Sequence, residues 1–174
     1  MHIIIDGYNL IRQSPSLWQF ESRGLEEGRH ELIRRLSRFK KERGHTITVV
    51  FDGWIGGSPK EERYNDKGIT VIYSKKGEQA DEVIKRMVRK GRSSVIVVTS
   101  DRSVADAATR NGGTAIPSPE FESRITLSDR ESSAFAEEPH EYDDEHSRLT
   151  GKRKGPSKRL PKKKRRVMAR LKKI

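Results

Sequence analysis

The sequence predicts an α/β fold with a mainly parallel central sheet, on three observations. Short β-branched runs alternate with stretches of helical periodicity, the pattern of successive βαβ units. The runs are apolar enough to be buried strands. Three of them end on an aspartate, at Asp6, Asp52 and Asp101.

In chain order, His2–Ile5 reads as the first strand. Residues 10–24 read as irregular, with Pro15 and Gly24 as breakers. Residues 26–43 read as a helix, because Leu32, Ile33, Leu36 and Phe39 fall near helical spacing and Gly44 supplies a stop. Thr46–Phe51 is the second strand. Residues 52–66, rich in Gly and containing Pro59, read as a loop. Ile69–Tyr73 is the third strand. A helix over 79–90 turns Ala80, Val83, Ile84, Met87 and Val88 inward. Ser94–Thr99 is the fourth strand, Ser103–Arg110 a short helix, and Thr114–Ile116 a fifth strand. Phe121–Leu127 offers one short amphipathic turn. Beyond it the apolar pattern fades.

The charge divides the chain into three. Residues 1–117 carry a net +6, residues 118–150 hold 10 acids against 3 basic residues, and residues 151–174 hold 13 Lys and Arg with no acid. The expected organisation is therefore a catalytic or binding body over 1–127, an acidic disordered connector over 128–150 and a basic tail over 151–174. Such asymmetry points to a polyanion, with nucleic acid the leading candidate. Within the tail, Lys162, Lys163, Lys164, Arg165 and Arg166 form a run suited to phosphate contacts. It also has the look of a nuclear localisation signal.

The absence of Cys excludes a disulfide framework, a thiolate zinc site and a cysteine nucleophile. The five His lack zinc-ligand spacing, and no dinucleotide fingerprint, Walker loop or nucleophile elbow is present. The chain enters its first apolar run at once. No run approaches the roughly 20 residues that would span a bilayer. A cytoplasmic protein with no membrane partner is the expectation.

Four motifs bear carboxylates: Asp6-Gly7-Tyr8-Asn9, Asp52-Gly53, Ala80-Asp81-Glu82 and Thr99-Ser100-Asp101. In an open parallel sheet the strand ends lie along one edge, where ligands bind. Asp6, Asp52 and Asp101 then converge, and converging carboxylates repel unless neutralised. A hard divalent cation such as Mg²⁺ suits them. Each motif has a plainer reading. Asp6-Gly7 and Asp52-Gly53 are turn sequences. Asp81 and Glu82 are an acidic first helical turn, and Ser100 or Asp101 is a helix cap. Adjacent helical acids point about 100° apart, so one of Asp81 and Glu82 faces the cleft, with Asp81 the first choice. Asn9 and Ser100 are placed to orient a phosphate. Trp54 suits either stacking on a base or core packing.

Taken together and in this order, the four motifs resemble the NYN domains of the PIN-like nuclease superfamily, on the YacP-like branch of bacterial ribonucleases. The resemblance covers about residues 1–125. It implies a three-layer PIN-like α/β fold and hydrolysis of RNA with Mg²⁺ or Mn²⁺. It carries metal binding to Asp6, Asp81 and Asp101, with Asn9 and Asp52 in support. It also implies RNA (mRNA or rRNA) as partner, with the ribosome as one setting. The competing reading is a non-catalytic RNA- or ribosome-binding module on the same fold. A small-molecule phosphatase is a third.

Overall fold

A computed structural model describes residues 1–53, 58–91 and 95–134, with side chains of the last helix described to 127. Twelve elements follow one another among these residues: β1 (His2–Asp6), α1 (Gly7–Gln13), α2 (Pro15–Glu21), α3 (Leu25–Arg43), β2 (Thr46–Phe51), β3 (Glu62–Asp66), β4 (Ile69–Tyr73), α4 (Ala80–Lys90), β5 (Val95–Val98), α5 (Arg102–Arg110), β6 (Thr114–Ile116) and α6 (Ser118–Ala134).

The six strands make one sheet in the order β3-β4-β2-β1-β5-β6. All neighbours are parallel except β3 against β4. The central strand β1 pairs Ile5 with Val49 on one side and with Val98 on the other. Ile3, Ile4 and Ile5 are buried, which is why the run is apolar without alternation. Ile3 and Ile5 face a core shared with α1, α2, α3 and α6. Ile4 faces a smaller core under α4 and α5. The result is the expected three layers, a sheet between two helical sheets of packing.

Four elements depart from the sequence reading. Residues 10–24 hold helical structure rather than irregular chain. Pro15 is not a breaker there: it sits at the start of α2, behind Ser14, whose hydroxyl accepts from the Leu17 N–H at 3.2 Å. Proline is pre-organised for that position. The segment read as a loop over 52–66 contains β3, an edge strand whose residues are almost all exposed, so it carries no hydrophobic signal. The β3–β4 hairpin turns at Lys67 and Gly68, with φ of 49° and 84°, as tight two-residue hairpins require. The single turn expected at Phe121–Leu127 is part of the 17-residue α6. Phe121 and Ile125, one helical turn apart, are buried there, and the Phe121 ring meets Phe39 of α3 at 5.6 Å. The helix therefore runs past residue 127, the expected end of the body. Most of the connector and the whole tail lie outside the described residues.

No helix among the described residues is long and apolar enough to cross a membrane.

Candidate active site at the carboxyl edge of the sheet

From β1 the chain builds the sheet outward through β2 to β4, then crosses back to lay β5 on the other side of β1. The strand order reverses between β1 and β5. The crevice at such a switch, beyond the strands' C-terminal ends, is where open α/β sheets bind ligands. β1 delivers Asp6 there, β2 leads to Asp52, β5 leads to Asp101, and α4 starts there with Asp81.

Asp6 ends β1 and caps α1, accepting from the Asn9 N–H at 3.2 Å. Its second oxygen lies 3.5 Å from the Thr99 hydroxyl. It is 7% exposed. Burial pushes its carboxyl up to about 6, and repulsion from Asp81 and Asp52 adds to that against the Asn9 bond. Asp81 is also raised, first by desolvation and then by Asp101, with Asp52 and Glu82 adding and Lys85 opposing. Asp101 caps α5 at the rim, accepting from the Val104 N–H at 3.0 Å. That bond and the Ser103 hydroxyl hold it below its ordinary value. Asp52 accepts from the Ala80 N–H at 2.6 Å, tying the end of β2 to the start of α4. The structure thus brings Asp6, Asp52, Asp81 and Asp101 into one electrostatic group.

Two glycines hold this edge in shape. A Cβ on Gly7 would lie 2.3 Å from the Phe51 ring, so the ring fills the space beside this glycine. A Cβ on Gly53 would lie 1.7 Å from the Ser74 carbonyl oxygen. The Gly53 N–H instead donates to the Ser74 hydroxyl at 2.8 Å, which donates onward to the Glu78 carbonyl at 2.6 Å.

Asn9 and Ser100 form a knot beside the carboxylates. The Asn9 carbonyl oxygen accepts from the Ser100 N–H at 3.0 Å, the Ser118 hydroxyl at 2.7 Å and the Gln13 amide at 3.3 Å. The Ser100 hydroxyl donates to Gln13 at 2.7 Å and accepts from the Ser118 N–H at 3.2 Å. These bonds join α1, the β5–α5 turn and the start of α6. Any phosphate contact by Asn9 would fall to its amide nitrogen. Glu82 stands apart. It is exposed, pairs with Lys85 at 3.1 Å and lines a cleft along α4 with Lys75, Arg86 and Arg89. Trp54, Lys162, Lys163, Lys164, Arg165 and Arg166 lie outside the described residues.

Sequence reasoning missed Thr99, whose hydroxyl joins Asp6 to the Asp101 N–H, and Ser118, which joins the knot from 109 residues away. Thr99 was legible as part of its motif. Ser118 carried no signal.

The donor set suits a particular kind of cation. Among the described residues no three carboxylate or imidazole side chains gather tightly enough to enclose an ion. All-oxygen acids whose charges repel across an open crevice do fit a hard, water-rich cation. Mg²⁺ binds through one or two carboxylates and keeps several waters. Asp6 and Asp81, the two acids raised first by desolvation and then by their acidic neighbours, are the first candidates, with Asp101 and Asp52 at the edge. Glu82 is turned toward basic neighbours.

Comparisons with known proteins bear on the family and the fold. The family model of the YacP-like NYN domain matches residues 3–173. That match runs past the 1–125 on which the motifs lie and takes in the acidic connector and nearly all of the tail. The uncharacterized protein YacP of Bacillus subtilis (strain 168) is 30% identical over 87 residues, 50% of this chain and 51% of the relative. The chain therefore spans about half the length of the curated relative it matches. The crystal structure of Rae1 (YacP) from Bacillus subtilis superposes with a TM-score of 0.65 at 24% identity, covering 78% of this chain and 79% of that one. A point mutant of the same protein gives 0.64. At that identity the likeness shows the fold.

Proposed function

This chain belongs to the YacP-like NYN domain family, and from that premise we propose that it is a metal-dependent ribonuclease, an endonuclease that hydrolyses RNA phosphodiester bonds at the Asp6–Asp52–Asp81–Asp101 edge. The observation that carries the reading is the gathering of acids at the switch-point crevice, where Asp6 is buried with Asp81 and Asp52 as neighbours and Asp81 has Asp101 beside it. Unneutralised acids there would repel a phosphate backbone, so the arrangement makes chemical sense with a cation bound.

Asp6 and Asp81 would hold Mg²⁺ or Mn²⁺, with Asp101 reaching it directly or through water. When bound, the cation supplies activation of a water and neutralisation of the developing phosphate charge. The chain's own groups set up the rest. Thr99 and the Asn9 N–H fix the rotamer of Asp6. The Ala80 N–H fixes Asp52. The Asn9–Ser100–Ser118 knot holds the β5–α5 turn, and with it Asp101, against α1. The 13 cations of residues 151–174 would anchor RNA, mRNA or rRNA, through phosphate contacts that weaken steeply with salt.

A second reading, an RNA- or ribosome-binding module without catalysis, is favoured by one observation: the 13 cations of residues 151–174 could supply the affinity by themselves. End-labelled single-stranded RNA separates the two. Internal cuts with Mn²⁺ or Mg²⁺, absent with EDTA and absent in Asp101→Asn, support the nuclease. RNA that binds and stays intact supports the module. Cuts that appear only when ribosomes are added assign a ribosomal setting.

A further inference from the structure

The motifs that supply Asp6 and Asp52 also supply Tyr8 and Phe51, and these rings lie in the core shared with α1 and α3. From them a row of aromatics runs outward across the sheet. Tyr8 meets Phe51 edge-on at 5.1 Å. Phe51 stacks on Tyr73 at 5.6 Å and 25°. Tyr73 stacks on Tyr64 at 6.1 Å and 19°. Burial falls along the row: Phe51 is fully buried, Tyr73 is partly covered, and Tyr64 is 45% exposed. Tyr64 belongs to β3, the last strand of the sheet, and among the described residues no strand pairs with its outer edge.

A lone exposed tyrosine needs no explanation. This one ends a row of touching rings that a cation braces. The Arg29 guanidinium lies 5.5 Å over the Tyr73 ring and donates to the Tyr8 hydroxyl at 3.0 Å. An order of this kind lowers the entropy cost of using the outer ring as a contact surface. The charges around it select the contact. By strand alternation Glu62 and Asp66 share the Tyr64 face. Two acids disfavour a phosphate at that spot and leave the uncharged face of a base as the group that fits. Residues 1–117, which carry the row, have a net charge of +6, so a nucleic-acid strand is drawn to them as a whole.

We infer that Tyr64, stacked on Tyr73, is a base-stacking platform for single-stranded RNA, three strands out from the carboxylates. Strands about 4.8 Å apart put it roughly 14 Å from Asp6. A base held there lies a few nucleotides from a phosphate at the acidic edge. The inference rests on the proposed action on RNA, and it gives that reading a direction, since the strand crosses the sheet edge from β1 toward β3.

Binding in EDTA, which keeps the strand intact, tests it apart from cleavage. The probes are an unstructured RNA with one 2-aminopurine and an abasic ribose-phosphate strand of the same length. Tyr64→Ala is expected to weaken RNA binding about tenfold, within the range for one stacked base, and to leave the abasic strand unchanged. Tyr64→Phe keeps wild-type affinity. In the wild type, stepping the 2-aminopurine along the strand gives a position of strong fluorescence quenching. Equal RNA affinity in wild type and Tyr64→Ala, equal losses on both strands, or no quenching at any position would overturn the platform. The last of these needs no variant to fold. Failure of the nuclease reading shows separately, as intact RNA in the presence of Mn²⁺.

Discussion

At the β1–α1 corner and at the β5–α5 corner a parallel strand ends, an aspartate follows, and its carboxylate accepts from the backbone N–H three residues on. The two caps have nearly the same geometry, at 3.2 and 3.0 Å. Their carboxyls nevertheless move in opposite directions. Asp6 is buried and faces Asp81 and Asp52, so its ordinary value of 3.8 rises to about 6. Asp101 sits at the rim, where the cap and Ser103 outweigh desolvation and lower it. A cap alone therefore does not tell a structural aspartate from a functional one. The surroundings do: a carboxylate held where charge is disfavoured is one that needs a partner.

Removing the charge at the buried corner should have the greatest consequence. Asp6→Asn keeps the cap, because Asn caps as well as Asp, and removes the charge. Loss of a direct ligand should exceed the 10- to 100-fold typical of groups behind the ligands. Metal-dependent RNA cleavage is therefore expected to fall by at least about 100-fold in Asp6→Asn and in Asp81→Asn. A single-turnover assay at saturating Mn²⁺ measures it. Near-wild-type cleavage in either variant would remove that residue from the site.

The same substitution has an opposite effect on stability. The folded state binds Asp6's proton more tightly than the unfolded state. Asp6's share of stability is thus complete below about 3.8 and lost as pH rises through about 6. Metal-free Asp6→Asn should be more stable than wild type at pH 7, on the order of 2 kcal/mol, and about equal to it at pH 3. Denaturant melts at the two pH values check this. A variant less stable than wild type at pH 7 would show that the charge is already compensated inside the protein.

Legibility differed between the same regions. The apolar strands His2–Asp6, Thr46–Phe51, Ile69–Tyr73 and Val95–Val98 were visible because strands buried on both faces are written in β-branched residues. The convergence of Asp6, Asp52 and Asp101 followed from strand order alone. β3 was invisible because an exposed edge strand has no apolar face to reveal it. The helices before Gly24 were hidden by reading Pro15 as a stop when Ser14 makes it a start. The Asn9 knot was hidden for a different reason: Ser100 and Ser118 meet Asn9 across 91 and 109 residues. No local pattern encodes such a contact, and the phosphate-holding role read for Asn9 and Ser100 overlooked how much of their hydrogen bonding is spent inside the fold.

At the rim corner the effect should be smaller and run with pH the other way. Asp101→Ala removes the α5 cap and is expected to cost about 1 kcal/mol, with Asp101→Asn restoring it. Because Asp101 is held below its ordinary value, the charged form's share of stability is present above about 3.8 and fades as pH falls through the lowered value. Comparing Asp101→Asn with Asp101→Ala separates the two duties. A cap alone would leave Asn with full cleavage activity.

Within one helical turn of α4 two acids should differ as the two corners do. Asp81 and Glu82 are neighbours in sequence, yet Asp81 faces the acidic group while Glu82 is exposed and pairs with Lys85 at 3.1 Å. The roughly 100° between adjacent helical positions does this. Glu82→Gln should cost only a few tenths of a kcal/mol, the worth of an exposed pair one turn apart. It should leave cleavage within about twofold, because the Glu82 carboxylate is exposed and already paired with Lys85. Cleavage lost in Glu82→Gln and kept in Asp81→Asn would mean that α4 turns its other acid to the substrate. The metal site would then lie on the cleft beside Lys75 and Arg86, and the two corners compared above would be its border.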